Sequence, residues 1–295
     1  MLLVTGGTGF IGSNLVKRLL KNPFDTRLLV QPKKKTPLLP KNIPLDIAVS
    51  SLQDIRGLRA AMKEVELVIH LASAEHQGPS ANLEEVDVDG TQNLIEACLD
   101  AEVKKIIFLS RIGADKFSTF PVMKAKGLAE DAIKKSGLTY TIIRLTDVYG
   151  KGDHFIHDLH QAIQFAPIVF PFPSSGKTAL QPIWINDLVA CLMLIMDEEP
   201  YDNRIIEFGG GEYYSIQKIV EMVMDNMKHR KLLLPVAPAY LRLINLWFKP
   251  YRGAFPLSTA WIDLLSIDRT CSLDSMSKLF RILPARFDHK VGLIS

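Results

Sequence analysis

Two stretches of this chain hold residues whose types and spacing could do chemistry. The first, TGGTGFIG, sets Gly7, Gly9 and Gly12 in the pattern G-x-G-x-x-G, and Gly6, Gly9 and Gly12 in G-x-x-G-x-x-G. Such glycines allow a tight turn, close approach of the backbone to a pyrophosphate, and close packing of a helix on a strand. A helix opening near Phe10 would then offer free backbone N–H groups and its positive dipole end to phosphates. Gly6, Gly7, Thr8, Gly9, Phe10, Ile11 and Gly12 are therefore the expected cradle of a dinucleotide. The second stretch, FSTFPVMKAKGLAED, supplies lysines and no tyrosine. A lysine there could hold hydroxyls or steer a neighbour's proton, but it needs that neighbour.

The choice of nucleotide turns on the end of the second apolar run. A site for NAD places an acid there, about 20 residues past the glycines, to take the ribose hydroxyls. Here the run ends LLVQPKKK, with Gln31 where the acid would stand and Lys33, Lys34 and Lys35 after it. Lysines attract a 2′-phosphate that a carboxylate would repel. NADP is the expected cofactor and NAD the alternative; a solvated basic loop is the other reading of such a run.

These residues need strands and helices to position them, and the first half of the chain supplies both in alternation. LLVTG, TRLLVQ, LDIAV, ELVIHLA, KKIIFLS and TYTIIRL read as strands. Between them, IGSNLVKRLLKN, LQDIRGLRAAMKE, VDGTQNLIEACLDA and MKAKGLAEDAIKKSG read as helices, the last closed by Gly137 in a left-handed cap. Right-handed crossovers then predict a Rossmann-type α/β fold, a doubly wound parallel sheet. INDLVACLMLIMDE reads as a buried helix and RIIEFGGG as a further strand. The expected division is a nucleotide-binding domain over 1–150 and about 178–210, with a smaller lobe over about 151–177 and 211–295.

Composition excludes several functions. The 295 residues are 47% apolar and 23% charged, as in an ordinary globular protein, and a net charge of +3 does not argue for nucleic acid. The seven histidines show no metal-ligand spacing, so no metal is expected. Cys98, Cys191 and Cys271 are odd in number and far apart, which favours reduced thiols and a cytoplasmic or similar location. The N-terminal apolar run leads straight into the glycines and does not read as a signal peptide. LLLPVAPAYLRLINLWF (232–248) carries Pro235, Pro238, Arg242 and Asn245, which make it a poor spanning helix; it reads as two short packed segments, with peripheral membrane contact as the alternative.

The motifs TGGTGFIG, VIHLAS, VDGTQNLIEAC, YTIIRLTDVYGKGD, INDLVACL and IIEFGGGEYYSIQKIVEMV follow one another end to end. In that order and spacing the chain resembles the short-chain dehydrogenase/reductase superfamily, in its extended and atypical branches. It looks most like the NAD-dependent epimerase/dehydratase type, and is similar to divergent relatives that include the nucleotide-binding accessory subunit of respiratory complex I. The resemblance implies that Ser51, in place of a usual aspartate, and Leu52 lie near the adenine. It implies that Leu71, Ala72 and Ser73 run beside the nicotinamide-side ribose.

Members with redox chemistry use a serine or threonine, a tyrosine and a lysine, the last two as Y-x-x-x-K. The lysine lowers the tyrosine pKa and holds the ribose, while the phenol acts as general acid or base. KGLAE makes Lys126 that lysine; four residues earlier stands Val122, which transfers no proton. Pairing Phe120 with Lys124 gives no hydroxyl either. The serine position falls on Ile112, with Ser110 two residues before it as a cofactor contact, and Asp87 replaces a usual asparagine. A substitute acid could come from His76, Tyr149 or His154. Two functions follow: an atypical oxidoreductase or epimerase-like enzyme acting on an unknown small molecule, or a nucleotide-binding redox sensor, assembly factor or accessory subunit without turnover.

Overall fold

The computed structural model describes residues 1–21, 24–32, 45–77, 81–173, 176–197, 199–248, 262–263 and 265–293. The apolar runs of the first half become β1 (Leu2–Thr5), β2 (Thr26–Val30), β3 (Asp46–Val49), β4 (Leu67–His70), β5 (Lys105–Arg111) and β6 (Thr139–Leu145). The amphipathic stretches between them become α1 (Phe10–Leu19), α2 (Ile55–Ala61), α3 (Gly90–Asp100) and α4 (Pro121–Lys135). The chain continues through β7 (Val148–Tyr149), α5 (Phe155–Phe165), β8 (Val169–Pro173), β9 (Ala179–Leu180), β10 (Ile183–Trp184) and α6 (Ile185–Asp197). It then forms β11 (Arg204–Phe208), β12 (Tyr214–Ser215), α7 (Ile216–Met227), β13 (Leu232–Val236) and α8 (Pro238–Phe248).

The main sheet has seven strands in the order β11-β6-β5-β4-β1-β2-β3, and the pairings from β3 through β5 are parallel. This is the doubly wound Rossmann-type arrangement. Strand order reverses at β1, whose neighbours are β2 and β4, and ligands of such sheets bind beyond the strand ends at that point. Strands covered on both faces must be apolar throughout, which is why β1 is buried along its length and β5 everywhere but its ends.

The chain divides into two units, Met1–Arg144 with Val189–Ile206 and Leu145–Leu188 with Glu207–Ser295. In the first, Leu3, Leu58, Met62, Val68, Leu94, Phe108 and Ile142 fill a common core. Truncating a fully buried member such as Leu94 to alanine costs about 2–5 kcal/mol. In the second, Tyr149, Leu159, Phe170, Phe172, Ile219, Leu241 and Phe287 form a separate one. No described helix is long and apolar enough to cross a membrane.

Three helix starts differ from the sequence expectation. α2 begins at Ile55, three residues late, because Asp54 caps it, its carboxylate accepting the Gly57 N–H at 3.0 Å. α4 begins at Pro121, two residues early, because proline's fixed φ suits a first helical position whose N–H has no partner to lose. α3 is preceded by one turn of π-helix over Glu84–Asp89, where the reading expected helix only from Val88. The wider turn faces Asp87 inward, and such turns recur at functional sites. Gly137, at φ +83°, follows the end of α4 in the expected left-handed conformation.

Candidate functional site

A cavity of about 540 Å³ opens past the C-terminal ends of β1, β2, β3 and β4. Thr5, Gly6, Thr8 and Gly9 line it from the turn after β1, Gln31 from the end of β2, Ser51 and Leu52 from beyond β3, and Leu71, Ala72 and Ser73 from beyond β4. Gly7, Phe10, Ile11 and Gly12 belong to the same turn and the start of α1 without lining the cavity. Lys33 and the lysines after it lie outside the described residues.

The turn is closed by a hydrogen bond from Gly9 N–H to Gly6 O, 3.0 Å. Gly6 has φ +70°, and a Cβ there would sit 2.6 Å from Ala72 N; one on Gly12 would sit 2.2 Å from Gly6 O. Only glycine fits either position, so backbone is brought to where a pyrophosphate's oxygens need N–H groups. No carboxylate from the end of β2 enters the lining, where Gln31 supplies a neutral amide. The residues present fit a nicotinamide dinucleotide.

A buried histidine fixes the loop after β4. Thr91 Oγ1 donates to Asp87 O at 2.7 Å, so it accepts from His70 Nε2–H at 3.0 Å. His70 Nδ1 then accepts from the Thr5 hydroxyl at 2.7 Å, and Thr5 Oγ1 takes the N–H groups of Leu71 and Ala72. Burial, and then the Lys126 charge, push His70 down to about 3 against a weaker upward pull from Asp87. A neutral imidazole therefore links β1, β4 and α3.

Where a proton relay would stand, the unit has buried ion pairs. Lys126 Nζ lies 2.9 Å from Asp87 Oδ1, both side chains buried, and 5.2 Å from the centre of the Phe108 ring. Asp87 Oδ2 accepts the Ala74 N–H at 2.9 Å. Close by, Arg111 meets Glu75 at 2.5 Å, again with little exposure on either side chain. Burial pushes the Glu75 carboxyl up, but Arg111, His76 and Lys126 together override it and hold it at about 2. Val122 and Ile112 are buried apolar residues and add no proton donor.

The Ser110 hydroxyl donates to Glu130 Oε1 at 2.6 Å, and Arg144 grips the same carboxylate with two bonds of 3.0 and 2.8 Å. His76 is exposed and 3.8 Å from Glu75. Tyr149 belongs to the second unit, where its ring packs on Trp184 and Phe287. Its buried hydroxyl has no partner among the described residues, and burial followed by nearby acids pushes its pKa above the usual phenol value. His154, in the same unit, precedes α5. Sequence reasoning passed over Glu75, Arg111 and Arg144. Arg111 directly after the apolar run of β5 was the available signal, since a cation at that strand end needs a buried partner.

Comparison with known proteins agrees with this geometry. The family described as NAD(P)H-binding matches residues 6–154. The photosystem II assembly factor Ycf39 of Cyanophora paradoxa is 31% identical over 287 residues, covering 95% of this chain and 87% of that protein. The mitochondrial NADH dehydrogenase [ubiquinone] 1 alpha subcomplex subunit 9 of Dictyostelium discoideum is 22% identical over 257 residues, covering 82% of this chain and 68% of that protein. A UDP-glucose 4-epimerase of Thermus thermophilus, solved with NAD, has a TM-score of 0.65 at 20% identity, covering 89% of this chain and 97% of that one. The chain belongs to the NAD(P)H-binding family, among the epimerase-like members of the short-chain dehydrogenase/reductase superfamily.

Proposed function

We propose that the protein holds a nicotinamide nucleotide without turning it over and works as an accessory or assembly factor. The observation that carries this is the pair of buried ion pairs, Lys126 with Asp87 and Arg111 with Glu75. A bound nicotinamide supplies hydride chemistry, while a protein must orient the substrate and move a proton. Glu75, held at about 2, is ionised at neutral pH and has no proton to give. The Lys126 ammonium already has a buried carboxylate beside it. Loss of a general acid costs a factor of about 10²–10⁴ in rate. Relatives named as an assembly factor and as a complex I subunit support the same reading.

NADP is the proposed nucleotide, since Gln31 adds no negative charge to the cavity to repel a 2′-phosphate and Lys33 to Lys35 follow it in sequence. Three free, buried cysteines are compatible with a reducing, cytoplasm-like location. The roles of Ser51, Leu52, Leu71, Ala72 and Ser73 as cofactor contacts belong to the same proposal.

Calorimetry with NADPH, NADP, NADH and NAD tests binding; no heat from any of them removes the proposal. Turnover is tested by following bound NADPH against a panel of carbonyl compounds and nucleotide sugars. The expected result is no oxidation by the natural protein. Oxidation that His76→Ala abolishes would establish the enzymatic reading, with His76 as the substitute acid.

A further inference from the structure

The second unit turns an apolar surface to solvent that its fold does not use. β13 pairs with β8 in parallel, with Leu232 opposite Val169 and Leu233 opposite Phe170. Side chains in register share a face, so alternation sorts the ribbon into two sides. Phe170 and Phe172 enter the unit's core, with Leu233 packed against it. Val169, Leu232 and Leu234 face out, and Leu232 is 67% exposed. Ile168, just before β8, is 69% exposed. α8 begins two residues after β13 and contacts β8; Leu241 is buried in the core while Tyr240 and Leu243, three apart on one helical face, are exposed. Single exposed apolar residues need no explanation, but a run of them across adjoining elements marks an interaction surface.

Charge identifies what the surface meets. From Asp225 to Asp263 the chain has no acidic residue between those two, yet it carries Lys228, Arg230, Lys231, Arg242, Lys249 and Arg252. Arg242 is matched by Asp263 and Arg230 by Asp225, which uses the two bordering acids and leaves the stretch in cationic excess. Lys228, His229 and Arg230 are exposed immediately before β13. Protruding aliphatic and tyrosyl side chains beside a basic run suit the boundary of an anionic bilayer, where the apolar tips enter the acyl region and the cations meet phosphates. A charged protein partner would complement the cations but would leave the aliphatic tips without their best environment. We infer that the outward face of β8, β13 and α8, with the basic run at Lys228–Lys231, docks this unit on an anionic lipid membrane.

The inference stands whether or not the nucleotide reacts, and it is tested on the full chain by sedimentation with vesicles. Vesicles containing phosphatidylglycerol should retain at least about tenfold more protein than pure phosphatidylcholine, and added salt should weaken the retention. The double variant Leu232→Glu/Leu243→Glu and, separately, Lys228→Glu/Arg230→Glu should each lower retention by about tenfold. Melting temperature and NADPH calorimetry show that the variants stay folded. Retention unchanged in both variants overturns the inference, as does failure of the natural protein to sediment with anionic vesicles. A concentration-dependent dimer that Leu232→Glu/Leu243→Glu disperses, with no vesicle binding, also overturns it and gives the face to a second copy.

Discussion

The glycine turn after β1 and the charge cluster around Lys126 belong to the same unit and meet different physical demands. The turn is a backbone device: what matters at Gly6 and Gly12 is the absence of a Cβ, and the side chains that could react are irrelevant to it. The cluster is a side-chain device, in which Lys126, Asp87, Arg111 and Glu75 must each have a partner because burial leaves no water to replace one. Holding a nucleotide and reacting it are therefore separable. The first requires only the turn and the loops past β2, β3 and β4. The second requires a proton donor that the cluster does not offer.

A change at the turn should cost the most. Gly6→Ala forces a β-carbon into a left-handed backbone 2.6 Å from Ala72 N. Strain and overpacking together cost about 4 kcal/mol, and NADPH binding by calorimetry should be lost with it. At the cluster, Lys126→Met leaves the Asp87 carboxylate buried beside no cation and should cost about 3 kcal/mol in urea unfolding. Adding Asp87→Asn should restore most of that stability, because the orphaned charge goes while an amide oxygen still accepts the Ala74 N–H. If the double variant is no more stable than Lys126→Met, Lys126 and Asp87 do not act as one energetic unit. Gly6 and Lys126 together thus distinguish loss of shape from loss of charge balance.

The two regions also differ in how much of them the sequence could disclose. The turn is local: strand, glycines and helix lie within Leu2–Leu19, and their spacing is visible without any fold. The sheet was legible for the same reason, since each strand is a short apolar run between amphipathic helices. The cluster is not local. Lys126 and Asp87 could each be located by family resemblance, but their 2.9 Å approach depends on α4, β5 and a π turn written only as EEVDVD. That hexapeptide has no periodicity that separates a π turn from the helix it precedes. Ser110 shows the same gap: it stands two residues before the family's serine position, and nothing in the sequence shows that its hydroxyl bonds Glu130, on the next helix. Pairings across the sheet are set by topology, and no spacing rule announces them.

Acid should act first on His70, which ties Thr5 at the edge of the turn to Thr91 beside the cluster. His70 has a folded pKa of about 3, below the ordinary value of 6.5, so the unfolded chain binds a proton that the folded chain refuses. Its contribution is complete above about pH 6.5 and is lost as pH falls toward 3. Within that window stability should fall by about 1.4 kcal/mol for each pH unit. Protonation at Nδ1 would also remove the acceptor that the Thr5 hydroxyl uses. Urea unfolding at several pH values between about 6.5 and 5 reads His70 ahead of the carboxylates, whose ordinary values lie near 4. His70→Asn should flatten the slope there; an equal slope in that variant would assign the acid sensitivity elsewhere.

The smallest effect sharpens what the cavity selects rather than whether it binds. Gln31 lines the cavity at the end of β2, in the place where an acid would select NAD. Gln31→Asp puts a negative charge where a 2′-phosphate carries about two. Across about 5 Å at the dielectric of water the repulsion is near 1.7 kcal/mol, which is about a fifteenfold change in the NADP to NAD affinity ratio. Added salt should shrink it, since the site is open to ions. The same substitution should leave unfolding stability within about 0.5 kcal/mol, because an exposed amide is being exchanged for an exposed carboxylate. A ratio that does not move would mean that the discrimination does not pass through Gln31, and that the cavity reads the pyrophosphate and the nicotinamide half alone.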